Sequence, residues 1–165
     1  MREILFRGKD RITHQWVEGS YVHRTMYYGN AADAHFILTG GEFHSDYYNA
    51  FEISPDTLGQ YTGLTDNNGT KIFEGDIIKY SDRLDYACYE ESIEYPDAYG
   101  GETYDPGFKY GAVYYQAEYF PGFDISGHDF DCNGLSELNC SGDYHYEVIG
   151  NIHDNPELLR GDNNA

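Results

Sequence analysis

The residues best spaced for chemistry are Asp129, Asp131, Asn133 and Gly134. They match the first half of a calcium-binding loop, with oxygen ligands at positions one, three and five and the turn glycine at six. The match then fails. Position twelve, which must supply a bidentate Glu, is Cys140, and position eight is Ser136 in place of an apolar residue. No helical pattern leads into the loop, so a polar surface turn explains the segment better. His14, His23, His35, His44, His128, His145 and His153 form no His-Glu-x-x-His pair, and there is no Gly-x-Ser-x-Gly elbow. Gly40-Gly41 and Gly100-Gly101 lack the strand-to-helix setting and the following Lys-Ser/Thr that would cradle a phosphate. Cys88, Cys132 and Cys140 are odd in number and lack metal-site spacing. They read as reduced thiols, with a Cys132–Cys140 bridge as the alternative. The expectation is therefore a protein with no catalytic residues, no metal site and no cofactor: not an enzyme.

The stronger signal is charge. The chain of 165 residues carries 29 acids and ten bases, a net −19. From Ser81 onward there are 18 acids against Arg83, Lys109 and Arg160, while the first 80 residues hold 11 acids and seven bases. Binding to DNA or RNA depends on Lys and Arg displacing counterions at phosphates, so this balance disfavours nucleic acid as a direct partner. Arg2, Arg7, Lys9, Arg11 and Arg24 make the first 30 residues locally basic. Arg on the solvent side of a hairpin accounts for them more simply than a binding face. Carboxylates spread over an extended surface can instead imitate phosphates and attract a partner's Lys/Arg groove. Tyrosines among those acids add contact area and a hydroxyl at low entropic cost. Residues 82–107 concentrate both, with eight acids, one base and five tyrosines. The partner-binding candidates are Asp82, Asp85, Glu90, Glu91, Glu94, Tyr95, Asp97, Tyr99, Glu102, Tyr104 and Asp105.

The elements that must position such a surface read as strands. Short alternating runs of Tyr, Ile, Val and Phe recur between Gly, Asn and Asp clusters, and helical periodicity is scarce. Glu3–Arg7 and Gln15–Val22 predict an N-terminal hairpin through Lys9-Asp10-Arg11, with Trp16 as a core anchor. Residues 24–34 read as a loop with a Gly29-Asn30 turn, and His35–Leu38 and Phe51–Ile53 as strands. Ser54 is placed to cap one helical turn opened by Pro55. Asp66-Asn67-Asn68-Gly69 and Glu74-Gly75-Asp76 are tight turns, the second feeding the strand Ile77–Tyr80. Tyr110–Phe120, Phe123–Ile125 and Tyr146–Ile152 read as strands, and Asn155-Pro156 starts a short terminal helix. No apolar run is long enough to span a membrane and the N-terminus lacks a signal-peptide core, so the expected location is the cytoplasm.

Three segments together resemble the YopX family of phage and prophage proteins. They are Met1–Gly8 with Trp16-Val17-Glu18-Gly19, the block Gln60-Tyr61-Thr62-Gly63-Leu64 through Glu74-Gly75-Asp76-Ile77-Ile78, and the tail Glu147–Ile152 with Asn155-Pro156-Glu157-Leu158-Leu159. The resemblance implies a small β-rich protein encoded by a phage and acting in the bacterial host cytoplasm. It brings no catalytic residues. Residues 82–107 exceed what the family pattern places between its central block and the next strand.

The expected fold is mainly β: an N-terminal hairpin packed on a small bent β-barrel, a short C-terminal helix and a long acidic excursion. The expected organisation is one YopX-like domain over residues 1–165, with 82–107 as an acidic, tyrosine-rich insertion. The expected function is a phage-encoded binding protein that inhibits a basic, nucleic-acid-handling host defence protein through a DNA-mimic-like surface. The alternative is an accessory or assembly protein that self-associates through tyrosine-rich strands. A hydrolase or metal enzyme is the third reading, and it requires carboxylates and histidines to converge in one pocket.

Overall fold

The computed structural model describes residues 3–28, 30–40, 49–81, 108–117, 122–127, 135 and 145–160. Among them ten strands form two antiparallel sheets. The chain divides into two compact units, residues 1–64 with 71–74 and residues 65–70 with 75–165.

The first unit is built on a sheet of order β4-β3-β2-β1-β5-β6. Its strands are β1 (Phe6–Lys9), β2 (Trp16–Tyr28), β3 (Asn30–Leu38), β4 (Ala50–Glu52), β5 (Gly59–Thr65) and β6 (Lys71–Phe73). Asp10 makes the first turn. Its carboxylate accepts from the Ile12 amide, the Thr13 amide and the Thr13 hydroxyl. The core consists of Ala34, Ile37, Ile53, Tyr61, Ile72 and Phe73, all buried. Residues 24–34, expected as a loop, belong instead to a long hairpin paired from Ser20↔Leu38 to Tyr28↔Asn30. Thr25↔Asp33 and His23↔His35 face each other there, and Val22 through Thr25 are exposed. Successive exposed residues on β2 show no apolar alternation, so the period of that stretch is invisible to hydropathy. Pro55–Thr57 forms the expected turn as a 3-10 element, but the Ser54 side chain does not cap it. The Thr57 hydroxyl donates to the Ser54 carbonyl and accepts from the Lys9 amide.

The second unit carries the sheet β10-β7-β8-β9, from β7 (Asp76–Ser81), β8 (Phe108–Gln116), β9 (Gly122–Ile125) and β10 (Tyr146–Asn151). Central β7 buries Ile77, Ile78 and Tyr80, and Val113, Ile125, Leu135 and Tyr146 complete the core. Both expected tight turns are present, with Gly69 and Gly75 at φ of 82° and 85°, a region that side chains rarely enter. Gly75 also serves the sheet: its amide donates to the Val113 carbonyl and its carbonyl accepts from the Ile152 amide.

Two expectations change. Among the described residues the strands make two open sheets and no closed barrel, and the N-terminal hairpin is part of the first sheet. Closure needs the first and last strands of a sheet to pair. Here the first sheet ends in the three-residue strands β4 and β6, and the second ends in β9 and β10. At the expected C-terminal helix stands a 3-10 turn, Pro156–Leu159, with no cap from the Asn155 side chain. The acidic excursion at 82–107 lies outside the described residues.

Candidate functional site

Four described cations of the first unit, Arg7, Lys9, Arg11 and Lys71, are held by its own rings and carboxylates. Arg7 leaves β1 opposite Glu18, and its guanidinium lies 4.7 Å from both the Trp16 and the Phe73 rings. Lys9 sits 5.4 Å over the same Trp16 ring. Trp16 is half-buried and works as a platform for two cations, beyond the plain core anchor expected of it. Arg11 pairs with Glu52, and Lys71 lies between Glu3 and Glu18 while also covering Tyr61. The locally basic N-terminal stretch is thus spent largely on internal contacts.

On the β2–β3 hairpin the structure assembles a ladder that sequence reading did not single out. The Tyr21 hydroxyl lies 2.7 Å from His35 Nδ1, a hydrogen bond whose donor depends on the imidazole tautomer. The His35 ring stacks on His23 at 4.8 Å. His23 Nε2 is 3.5 Å from an Asp33 oxygen that also accepts from the Thr25 hydroxyl. Register about the Gly29-Asn30 signal would have revealed these pairs, had residues 24–34 been read as strands. Two histidines and one carboxylate in line do not surround an ion. Among the described residues no group of three His, Cys, Asp or Glu is placed to hold a metal. His14, His145 and His153 lie elsewhere in the chain, and His44 and His128 are outside the described residues.

In the second unit the turn 65–70 grips the edge strand β10. Asp66 accepts from the Asn68 and Thr70 amides with one oxygen and from the Val148 amide with the other. The Asn67 side-chain oxygen accepts from the Tyr146 amide, and the Tyr146 hydroxyl donates to the Thr65 carbonyl. Burial pushes the Asp66 carboxyl up, but the Val148, Thr70 and Asn68 amides and the Thr70 hydroxyl together hold it below its ordinary 3.8. Burial, followed by the Asp66 charge, raises the Tyr146 hydroxyl above its ordinary 10.0. These contacts give the central block and the tail a shared structural purpose.

The outward face of β8 presents Phe108, Tyr110 and Tyr114, each 40% exposed or more. Alternation turns Gly111 and Val113 the other way, into the core. Lys79 of β7 lies 4.2 Å over the Phe108 ring and 3.4 Å from Glu147 of β10. The Tyr114 hydroxyl donates to Asp124 at 3.3 Å. Burial first, and the Asp124 charge second, raise it above the ordinary 10.0.

The expected partner-binding set, Asp82, Asp85, Glu90, Glu91, Glu94, Tyr95, Asp97, Tyr99, Glu102, Tyr104 and Asp105, lies outside the described residues. So do the Asp129–Gly134 turn and all three cysteines. Their charge can nonetheless be assigned to a unit. The first unit has nine acids and six bases, a net −3, and the second has 20 acids and four bases, a net −16.

Comparison with known proteins gives two matches of interest. The profile of the YopX protein family matches residues 5–160. The crystal structure of protein EF1440 from Enterococcus faecalis is similar over 96% of this chain and 99% of that one, with 25% identity and a TM-score of 0.48. No curated protein matches the chain. No helix among the described residues is long and apolar enough to cross a membrane.

Proposed function

The chain belongs to the YopX protein family, and from that premise we propose that it is a non-enzymatic, phage-encoded binding protein whose acidic unit captures a basic, nucleic-acid-handling protein of the bacterial host. The observation that carries this reading is the segregation of charge by folding unit, −16 against −3. Charge needed only for solubility has no reason to gather in one of two units, whereas a one-sided field steers an oppositely charged partner. The contacts fall to the eight carboxylates from Asp82 to Asp105, with Tyr95, Tyr99 and Tyr104 among them. A Lys/Arg groove that ordinarily tracks phosphates would meet carboxylates in their place, so the consequence for the host protein is inhibition. The site of action is the host cytoplasm.

Self-association through tyrosine-rich strands is the competing reading, and the exposed rings of β8 are where it would act. A net −19 on each copy opposes it at moderate salt.

The test is affinity capture from bacterial lysate with the intact chain and with a variant in which Asp82, Asp85, Glu90, Glu91, Glu94, Asp97, Glu102 and Asp105 become Asn or Gln. The intact chain retains basic nucleic-acid-binding proteins at low salt and releases them as salt rises, and the variant retains none. Equal recovery by the two chains would overturn the reading, as would capture indifferent to salt.

A further inference from the structure

We propose that the outward face of β8 is a docking site for an extended, arginine-rich segment of another protein, with Phe108, Tyr110 and Tyr114 as cation-binding rings. The proposal rests on the reading above only for the sign of the partner's charge.

The three side chains project from one face of one strand, Phe108 and Tyr110 at neighbouring alternate positions and Tyr114 beyond Ala112, and remain 51%, 46% and 40% exposed. Alternate residues of a strand are about 7 Å apart, and an extended peptide repeats at the same interval. Two side chains of such a segment, two residues apart, can therefore meet Phe108 and Tyr110, and a third, four residues further on, meets Tyr114 beyond Ala112. The sheet already shows the interaction in miniature. Lys79 places its ammonium over Phe108 with Glu147 beside it, a cation held by a ring and a carboxylate together. Glu147 offsets the charge of that lysine, and an arriving guanidinium takes the place of its ammonium over Phe108. At the other end of the row, the buried Asp124 accepts from the Tyr114 hydroxyl and anchors that ring.

Charge decides among possible occupants. Aromatic rings on a sheet also suit stacked nucleotide bases, but base stacking on proteins is joined to a positive groove that tracks the backbone. The unit carrying β8 has a net −16 and repels phosphate. A second copy of the chain brings the same repulsion. Guanidinium groups fit both features, since they are attracted by the field and bind ring faces flat.

The experiment titrates the full chain with a nine-arginine peptide at physiological salt, beside a citrulline peptide of the same length. Pure long-range attraction would be unchanged by neutral substitutions, so the informative variants keep the charge. Phe108→Leu with Tyr110→Leu preserves apolar area and removes the ring faces, and weakens binding roughly tenfold, as loss of two cation–π contacts requires. Phe108→Tyr with Tyr110→Phe keeps the rings and binds as the natural chain does. The citrulline peptide does not bind. If the leucine variant does not fold, amide shifts of residues 108–116 on adding the arginine peptide to the natural chain carry the test, and their absence overturns the proposal. Unchanged affinity in a folded leucine variant overturns it too. A concentration-dependent dimer abolished by the leucine changes would make a second copy the occupant and equally overturn it. If lysate capture succeeds and peptide binding ignores the rings, only this inference fails. If ring-dependent peptide binding is found and lysate capture fails, only the broader reading does.

Discussion

Replacing Gly19 with alanine disrupts the first sheet and destabilises the protein by about 3 kcal/mol, the upper range for forcing atoms into a packed site. A Cβ at this position would stand 2.0 Å from the Leu38 carbonyl oxygen and 2.7 Å from its carbon. Both are backbone atoms, so no rotamer change relieves the clash. The strands β2 and β3 must separate where Ser20 pairs with Leu38. That loss exposes Ile37, whose side chain is fully buried and lies 3.0 Å from the same Cβ position. Gly40→Ala is the matched control, because nothing lies within 4 Å of its Cβ position. Urea denaturation followed by circular dichroism separates them: a large fall in midpoint for Gly19→Ala and none for Gly40→Ala.

Asp66→Ala has a comparable effect in the second unit. It removes the acceptor of three amides, those of Asn68, Thr70 and Val148. The first two lie in an exposed turn and can recover water, whereas Val148 sits within the sheet, so the expected loss is about 3 kcal/mol rather than the full sum for three charged hydrogen bonds. Asp66→Asn keeps one acceptor oxygen and costs about half as much. The carboxyl also links stability to pH. Its folded value lies below 3.8, so the unfolded chain takes up the proton more readily. The stabilisation is present above 3.8 and is lost as pH falls from there through the folded value. Denaturation midpoints of natural and Asp66→Asn chains therefore differ most near neutral pH and converge in acid. A gap that does not narrow would assign the effect to shape rather than to the charge.

These two residues also show what was legible in the sequence. Asp66-Asn67-Asn68-Gly69 and Glu74-Gly75-Asp76 could be placed because asparagine and glycine accept positive φ, a local property. The strand at Ile77–Tyr80 could be placed because β7 is buried and its residues say so. The grip of Asp66 and Asn67 on Tyr146 and Val148 was hidden, since it joins residues some 80 positions apart. The β2–β3 hairpin was hidden for another reason. His23 and Thr25 pair with His35 and Asp33, and Val22 through Thr25 are all exposed, so the apolar alternation that marks a half-buried strand is missing there. Barrel closure was over-read, because short strands and tight turns are common to barrels and open sheets alike. For the candidate surface, charge was legible in full and geometry was not. Tyr110 and Tyr114 lie within the expected strand Tyr110–Phe120, but β8 begins earlier, at Phe108, and only the structure shows the three rings facing outward.

The central claim is that the acidic unit occupies a groove made for nucleic acid. Competition tests it most directly: a basic host protein captured at low salt is loaded with labelled duplex DNA and titrated with this chain. The account predicts that DNA is displaced, that displacement weakens steeply as salt rises, and that the eight-carboxylate variant displaces nothing. Formation of a ternary complex with DNA still bound, or displacement equal for the natural chain and the variant, would contradict it.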